Sequence, residues 1–215
     1  MKRCAFTLTE LLVTVAVLSL LVAVLFPVFV RPRESGGRKN ICLLNLKQIG
    51  LGITQYAQDY NEVFPLESVS NLPSGAPNYN PPYGWADALQ PYLKSTQIFY
   101  CPLVKSPRAP SGNTTLSGFT DYWINRNISG IEMKKVTSPA VTLMLGDGND
   151  GYDVTNARYS KSYLPLTWLN DETKPCWRHL QGAHYAFVDG HVKWLKPETI
   201  STSPPPRGNP TFTIK

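Results

Sequence analysis

The sequence lacks the short motifs that identify the commonest catalytic sites. No G-x-S-x-G turn for a serine nucleophile, no phosphate-binding P-loop and no H-E-x-x-H zinc motif occurs in its 215 residues. Cysteine is scarce as well, because only four are spread along the chain and no C-x-x-C pair suggests a zinc or thioredoxin-like centre. The sequence therefore predicts a protein that is not an enzyme.

The chain also has little net charge outside its N-terminal region. Seven of its 21 basic residues, but only two of its 15 acidic residues, precede residue 48. From there onward the two signs nearly balance, and no basic stripe is interleaved with aromatic residues. We therefore expect no nucleic acid among its partners, and the length favours one folded head with an anchor.

One long apolar run is present, because residues 11–30 contain no charged side chain. A helix of about twenty residues rises roughly 30 Å, which matches the hydrocarbon core of a bilayer. A cleaved secretory signal is the alternative, but its apolar part is usually about 7 to 15 residues long and ends at small residues. This run ends in Phe-Pro-Val-Phe-Val. The sequence thus predicts a single transmembrane helix.

The segment before this run carries a further pattern. A short basic leader, Met-Lys-Arg-Cys-Ala, is followed by Phe-Thr-Leu-Thr-Glu-Leu-Leu, so Glu10 directly precedes the uncharged run. This pattern resembles the processing signal of type IV prepilins and type II secretion pseudopilins. The resemblance implies cleavage after Ala5 by a prepilin peptidase, a methylated N-terminus at Phe6, and contact of Glu10 with a neighbouring subunit's terminal amine. It also places Pro27 where many pilins kink, whereas Ala5 replaces the glycine usual before the cut.

The resemblance also sets the expected location. Basic residues after the apolar run outnumber those before it, which by charge alone would place the head in the cytoplasm. Pilin-like proteins have the reverse orientation, and the leader serves a peptidase at the cytoplasmic face. We therefore expect a single-pass protein of the inner (cytoplasmic) membrane with its head outside the cytoplasm, and a cell-surface or periplasmic filament after assembly. The expected partners are like subunits, the peptidase, the membrane, and the pilus or secretion assembly machinery.

The predicted organisation is a leader over residues 1–5, a transmembrane and assembly helix over 6–30, a hinge over 31–39, a pilin-like head over 40–200, and a proline-rich tail over 201–215 that is extended or disordered. The hinge is predicted because one proline and two adjacent glycines make a poor helix. Apolar side chains recur at steps of three and four over 40–60, which predicts an amphipathic helix.

Shorter elements complete the predicted head. A loop is expected over 70–84, a short helix over 85–93, and strands over 98–102, 121–124 and 140–145. The fold class is therefore α+β, an N-terminal transmembrane helix followed by a pilin-like head with an amphipathic helix packed on an antiparallel β-sheet.

The last predicted element of the sheet is a hairpin over residues 183–195. If Asp189 and Gly190 form a two-residue type I′ turn, Tyr185 pairs with Trp194 and both lie on the core face. In that register His184 and His191 lie about 13 Å apart along the ribbon, too far to share a zinc ion.

The third histidine, His179, belongs to a second resemblance. His179, nine further residues and then Asp189-Gly190 match the C-terminal signature of a bacterial subgroup of pilin-like proteins. We interpret His179 as returning to hydrogen-bond near the Asp189 turn, where it stabilises the hairpin, in preference to a role as a metal ligand.

The head also contains a candidate metal loop and a candidate disulfide. Asp147, Asn149 and Asp153 offer oxygen ligands at alternate positions, as a Ca²⁺ loop requires, although the same residues also form ordinary turns. No other cofactor is expected. In an exported head Cys101 and Cys176 are candidates for a disulfide; Cys42 as the partner, or free buried thiols, are the alternatives.

Three functions remain open at this point. The leading prediction is a structural subunit of a type IV pilus-like or type II secretion pseudopilus filament. The second is a membrane-anchored head that binds a ligand or metal and does not polymerise, and the third is a tethered hydrolase that uses the histidines. Processing at Phe6 and self-assembly distinguish the first from both others.

Overall fold

The computed structural model describes residues 8–30, 34–69, 83–104, 120–148, 157–200 and 210–214. The chain divides into two compact units, Met1–Gly37 and Arg38–Lys215. The boundary between them falls inside the segment 31–39 for which the sequence predicts a hinge.

The first unit contains one long helix, α1, which spans Leu8–Val30. Ten leucine and valine side chains between Leu8 and Val22 are each at least 51% exposed on the isolated chain. Within the part of the chain that the structure describes, no helix is long and apolar enough to cross a membrane. The helical prediction is therefore confirmed, while the membrane span stays a prediction.

The second helix, α2, spans Glu34–Asp59. One face is fully buried at steps of four, three, four and four residues: Cys42, Leu46, Ile49, Ile53 and Ala57. This confirms the amphipathic helix predicted over residues 40–60. The prediction that the whole of 31–39 is non-helical is wrong from Glu34 onward, because helix formation is cooperative and the packed turns that follow offset a cost of about 1 kcal/mol for each glycine.

The remaining elements are short. The helices are α3 Trp85–Ala88, α4 Gln90–Leu93 and α5 Leu166–Leu169; the strands are β1 Ser68–Val69, β2 Tyr83–Gly84, β3 Tyr122–Asn125, β4 Leu143–Asp147, β5 Ser160–Lys161, β6 Ala183–Phe187 and β7 Val192–Leu195. Strands β1 and β2 pair with each other, and the other five form one sheet in the order β5-β3-β4-β6-β7. Every pair in that sheet is antiparallel except β3 with β5. The α+β class is confirmed.

The five-stranded sheet separates two apolar cores. On one side, the buried face of α2 packs with Ile124, Met144 and Ala186 of the three central strands. On the other side, Trp123 and Tyr185 of the same strands pack with Phe212 near the C-terminus. The central strands are therefore buried on both faces, as in sheets that are covered on both sides.

The hairpin β6–β7 forms, but its predicted register is wrong by one residue. Tyr185 pairs with Lys193, and His184 pairs with Trp194. The loop has three residues instead of two: the amide of Gly190 donates to the carbonyl of Phe187, and Gly190 adopts a φ of +89°. This is the three-residue hairpin loop with a left-handed last residue, and a slip of one residue turns every side chain of β7 to the opposite face.

One other prediction about local structure is wrong, because the strand predicted over 98–102 is a 3₁₀ turn over Gln97–Phe99. The tail, predicted as extended or disordered, is extended where it is described over 210–214: Thr211 bridges Thr142, and Phe212 is 3% exposed. Two residues of the expected loop, Tyr83 and Gly84, form β2. The short helix over 85–93 is confirmed as the pair α3 and α4.

Candidate functional site

A group of polar and sulfur-bearing side chains is buried where α2 meets the end of the sheet. Four residues supply the ligand types that metals prefer, and one ligand atom from each lies within 4.8 Å of the others: Cys42, Cys101, Asp147 and His179. Arg178 joins them through Asp147. We call these five residues the buried cluster.

Asp147 is at the centre of the charges in the cluster. It is the last residue of β4 and is fully buried. One carboxylate oxygen accepts a hydrogen bond of 3.1 Å from Nη1 of Arg178, and the other is bonded to Nε2 of His179. Because a charge removed from water is stable only when it is paired, these two partners account for the burial of the carboxylate.

His179 is held in position by its backbone. Its amide donates to the Gly182 carbonyl at 2.8 Å, while its own carbonyl accepts from Nε1 of Trp194 at 2.7 Å. The intervening Leu180 and Gln181 both have positive φ values, 55° and 63°. This tight turn directs the ring of His179 into the interior, beside Asp147 and within 3.9 Å of the Cys101 sulfur.

The two sulfurs of the cluster come from distant parts of the chain. Sγ of Cys42, on α2, lies 2.6 Å from Sγ of Cys101, which follows the Gln97–Phe99 turn. The backbone near Cys101 is bound on two sides, because its amide donates to Asp121 at 2.9 Å and Asn45 donates to the carbonyl of Tyr100 at 3.0 Å. The contact between the sulfurs is therefore part of a fixed junction between helix and sheet.

Burial and pairing shift the ionisation of these groups in opposite directions. Burial alone would lower the pKa of His179, but its bond to Asp147 and its contact with Cys101 raise the pKa to about 9. Burial likewise opposes ionisation of Asp147, yet the bonds from His179 and Arg178 hold its pKa below the usual value. Burial raises the pKa of Asp121 to about 6, although the Cys101 amide opposes the shift.

These shifts predict that stability falls as the pH rises above neutrality. The pKa of His179 is about 9 in the folded protein against 6.5 for a free histidine. Its stabilising effect is therefore complete below about pH 6.5 and is lost as the pH rises toward 9. We expect the free energy of unfolding from urea titrations to fall by about 2 kcal/mol between roughly pH 6 and pH 8.

Two variants test the origin of this slope. His179→Gln should flatten it over the same range, whereas His191→Gln, which alters a histidine with a 43% exposed side chain, should leave it unchanged. Asp147 changes stability only in acid, whereas Asp121, with a pKa of about 6, adds a smaller fall in stability that is complete by about pH 7. A slope that survives His179→Gln would assign the titration to another group.

The predicted partner of His179 is wrong. His179 is bonded to Asp147 and not to the Asp189 turn, where Asp189 instead binds the ring and amide of His191. Gly190 has the structural role that its signature position suggests, since its left-handed conformation closes the loop.

The predicted calcium set is not assembled among the described residues. Asn149 and Asp153 lie outside them, and both carboxylate oxygens of Asp147 are bonded in the interior. Calcium binding by this loop stays a prediction.

The predicted pairing of Cys101 with Cys176 is wrong, because the two cysteines lie on opposite sides of the sheet. Cys176 donates to the carbonyl of Trp168 at 3.2 Å, in the core on the far side of the sheet. Cys101 meets Cys42 instead, and Cys42, Cys101 and Cys176 are all buried free thiols in this structure, which is the alternative given for them. The spacing of the cysteines could not choose between these partners, because it carries no information on which face of the sheet each one occupies.

The sequence analysis missed Arg178 and the central role of Asp147. One local signal was that Arg178 adjoins His179 of the predicted signature. Nothing in the sequence near Arg178 indicated that its partner is Asp147, which lies about thirty residues earlier at the end of β4.

The residues of the N-terminal prediction belong to α1 or precede it. Glu10 is in the first turn of α1 and is exposed, and Pro27 lies within the same helix. Ala5 and Phe6 lie outside the described residues.

Comparison with known families finds two matches. Residues 1–26 match the prokaryotic N-terminal methylation motif, and residues 31–115 match a family described as a protein of unknown function (DUF1559). No curated protein and no solved structure matches the chain. The first match covers the leader, Glu10 and most of α1, as the resemblance to prepilins implied. The chain therefore carries a prepilin-like N-terminal methylation signal, and the segment over 31–115 is similar to the DUF1559 family.

Proposed function

We propose that this protein is a structural subunit of a type IV pilus-like or type II secretion pseudopilus filament. Prepilin peptidase cuts after Ala5, α1 anchors the subunit in the cytoplasmic membrane with the head outside, and pilus or secretion machinery assembles like subunits through α1. The observation that carries the proposal is the methylation motif on a helix whose leucine and valine side chains between Leu8 and Val22 are all exposed.

The exposed surface of α1 is energetically large. The ten leucine and valine side chains between Leu8 and Val22 are between 51% and 75% accessible. Covering a side chain of this kind contributes roughly 1.5 to 3 kcal/mol, so ten of them in water would cost more than the whole stability of a typical domain. Lipid or the helices of sister subunits would each remove that cost.

Glu10 then determines how the helices align. Lipid and packed helices are similarly apolar, so the exchange of one for the other favours no particular register. An acid at the edge of such a segment usually has a functional role. The resemblance to prepilins implies that a neighbour's N-terminal amine contacts Glu10, which would bring opposite charges together. Glu10 is the only acidic residue of the apolar helix.

The buried cluster supports a structural role over catalysis. Cys101, His179 and Asp147 include the residue types of a cysteine-based triad. However, a catalytic cysteine needs an accessible thiol with a lowered pKa, whereas Cys101 is fully buried and, in its thiol form, has its pKa raised by Cys42 and by burial. The same nitrogen of His179 also faces both partners, whereas a triad uses its two ring nitrogens separately.

Replacement of Glu10 tests the assembly step. We expect Glu10→Ala and the isosteric Glu10→Gln to remain in the membrane at normal levels but to reduce sheared filaments at least about tenfold, because the pairing charge is lost. The measurement is the ratio of subunit in sheared surface material to subunit in membranes.

Two polar residues of the same helix provide matched controls. The hydroxyls of Thr14 and Ser19 bond to carbonyls of their own helix, at 2.9 and 2.8 Å. Thr14→Val and Ser19→Ala should therefore assemble as the parent does. Normal assembly of Glu10→Gln would remove the proposed role of this carboxylate.

The mature N-terminus tests the proposal as a whole. Mass spectrometry of the protein from native membranes and from sheared material should find a methylated Phe6 start. An intact Met1 confined to membranes would instead favour the anchored head that does not polymerise.

A further inference from the structure

We propose that Cys42 and Cys101 are joined by a disulfide in the mature protein, and that this bond fixes α2 to the segment after the Gln97–Phe99 turn. The inference rests on the proposed export of the head, because disulfides form and persist outside the reducing cytoplasm. It goes beyond filament assembly, since it concerns how the head itself is cross-linked.

The first observation is the approach of the two sulfurs. They are 2.6 Å apart, both residues are fully buried, and 59 positions separate them in the sequence. Non-bonded atoms as large as sulfur do not approach so closely, and two thiolates on one zinc ion, at bonds of about 2.3 Å in tetrahedral geometry, lie roughly 3.8 Å apart. The contact is nearer to a covalent bond of about 2.05 Å than to either arrangement.

The second observation is that bonds independent of sulfur hold both segments together. Asn45 follows Cys42 by three residues, so the two share a face of α2. Asn45 donates to the carbonyl of Tyr100 at 3.0 Å and to the hydroxyl of Tyr122 at 3.1 Å. The amide of Cys101 is fixed by Asp121. Both cysteines are therefore placed by the fold itself, as a disulfide within a rigid core requires.

The chemistry balances with a disulfide donor as the oxidant. One cysteine, as thiolate, attacks the disulfide of a thiol-oxidising protein of the exporting compartment and forms a mixed disulfide. The second thiolate displaces that protein, which leaves with both of its sulfurs reduced. Two electrons thus pass from the pair to the donor, and the two thiol protons are released to solvent or taken up by the donor's thiolates. Because both thiols are buried after folding, the exchange takes place before the head closes.

A metal centre is the alternative that the same cluster raises. His179 argues against it, because its Nδ1 has no hydrogen-bond partner among the described residues, whereas a metal-bound histidine usually donates from its second nitrogen. Asp147 is also engaged by Arg178 at 3.1 Å. Together with the short separation of the sulfurs, these contacts favour the disulfide.

The test uses full-length protein purified in detergent from native envelopes. Free thiols are alkylated without reduction, and the digest is analysed by mass spectrometry alongside a metal assay of the same sample. The expected result is a peptide pair linked through Cys42 and Cys101, with Cys176 alkylated after unfolding. Alkylation of both cysteines, a link that involves Cys176, or stoichiometric zinc with both thiols free would each overturn the proposal.

Stability measurements give a second, independent readout. Cys42→Ala, Cys101→Ala and the double variant should each lower Tm by about 10 °C, and all three by a similar amount, because each breaks the same bond. A reductant should lower the Tm of the parent and of the control Cys176→Ala, but not that of the double variant. Additive losses in the two single variants would show separate packing roles and no cross-link.

The outcomes separate this inference from the proposed function. A methylated Phe6 start together with free Cys42 and Cys101 would refute the disulfide and leave the filament proposal standing. A linked pair with an intact Met1 would do the reverse.

Discussion

Asp147→Asn is expected to lower the free energy of unfolding by about 3 kcal/mol or more. The substitution keeps the size of the side chain and removes only its charge. Arg178, whose side chain is 15% exposed, would then lose its buried counter-ion, and His179 would lose the bond that keeps it protonated. Leaving a buried charge without its partner is among the most destabilising changes that a single residue can cause.

The chain offers a matched control for this prediction. Asp189 also binds a histidine, His191, but the two side chains are 35% and 43% exposed. An exposed pair of this kind contributes only about 0 to 1 kcal/mol, so Asp189→Asn should have little effect. Urea titration of both variants near pH 6 makes the comparison while His179 is protonated in the parent.

A double-mutant cycle can isolate the bond itself. If Asp147 and His179 stabilise each other, Asp147→Asn combined with His179→Gln should cost clearly less than the sum of the single losses. If Asp147→Asn and Asp189→Asn lower the free energy of unfolding equally, burial does not strengthen the pair of Asp147 and His179.

The sequence predicted elements well wherever a repeating pattern decides them. The buried face of α2 follows the spacing of Leu46, Ile49 and Ile53, and the central strands follow short apolar runs. The N-terminal signal was equally legible, because leader, Phe6 and Glu10 are adjacent in the chain. These features depend on neighbours in sequence, so one chain is enough to find them.

Features that depend on distant contacts were not predictable in the same way. The hairpin register was wrong because Asp189-Gly190 fits both a two-residue and a three-residue loop, and only packing on the sheet distinguishes them. The packing of the extended tail against the sheet was not predicted, because its prolines and the four-residue segment Thr-Phe-Thr-Ile form no repeating pattern. In the fold Phe212 stacks on Trp123 at 5.0 Å, which no local pattern indicates.

The signature that joins His179 to Asp189-Gly190 has a physical account in this fold. The two ends do not touch as predicted; they are connected through β7. The Gly190 loop sets the register of β7, and that register places Trp194 opposite His184. Trp194 then donates to the carbonyl of His179 at 2.7 Å, which helps to direct the histidine toward Asp147. The signature thus encodes a hairpin that positions the buried cluster.

Gly146→Ala is expected to destabilise the head by roughly 3 kcal/mol, at the upper end for an added methyl group in a packed core. Gly146 lies in β4 directly opposite Trp123 of β3. A Cβ at this position would come within 2.0 Å of the Trp123 ring. The indole cannot move aside easily, because Phe212 stacks on it at 5.0 Å and Tyr185 lies 6.0 Å away.

A second buried glycine serves as the control. A Cβ on Gly50 of α2 would lie 3.3 Å from the terminal methyl of Met144, a flexible side chain that can adjust. Because alanine also favours a helix by about 1 kcal/mol over glycine, Gly50→Ala should be neutral or slightly stabilising. Chemical denaturation of both variants gives the difference directly. Equal effects of the two substitutions would contradict the close packing of Trp123 on β4. Partial rescue of Gly146→Ala by Trp123→Phe would identify the indole as the obstacle. The core around Trp123 and Phe212 would then require a glycine at position 146.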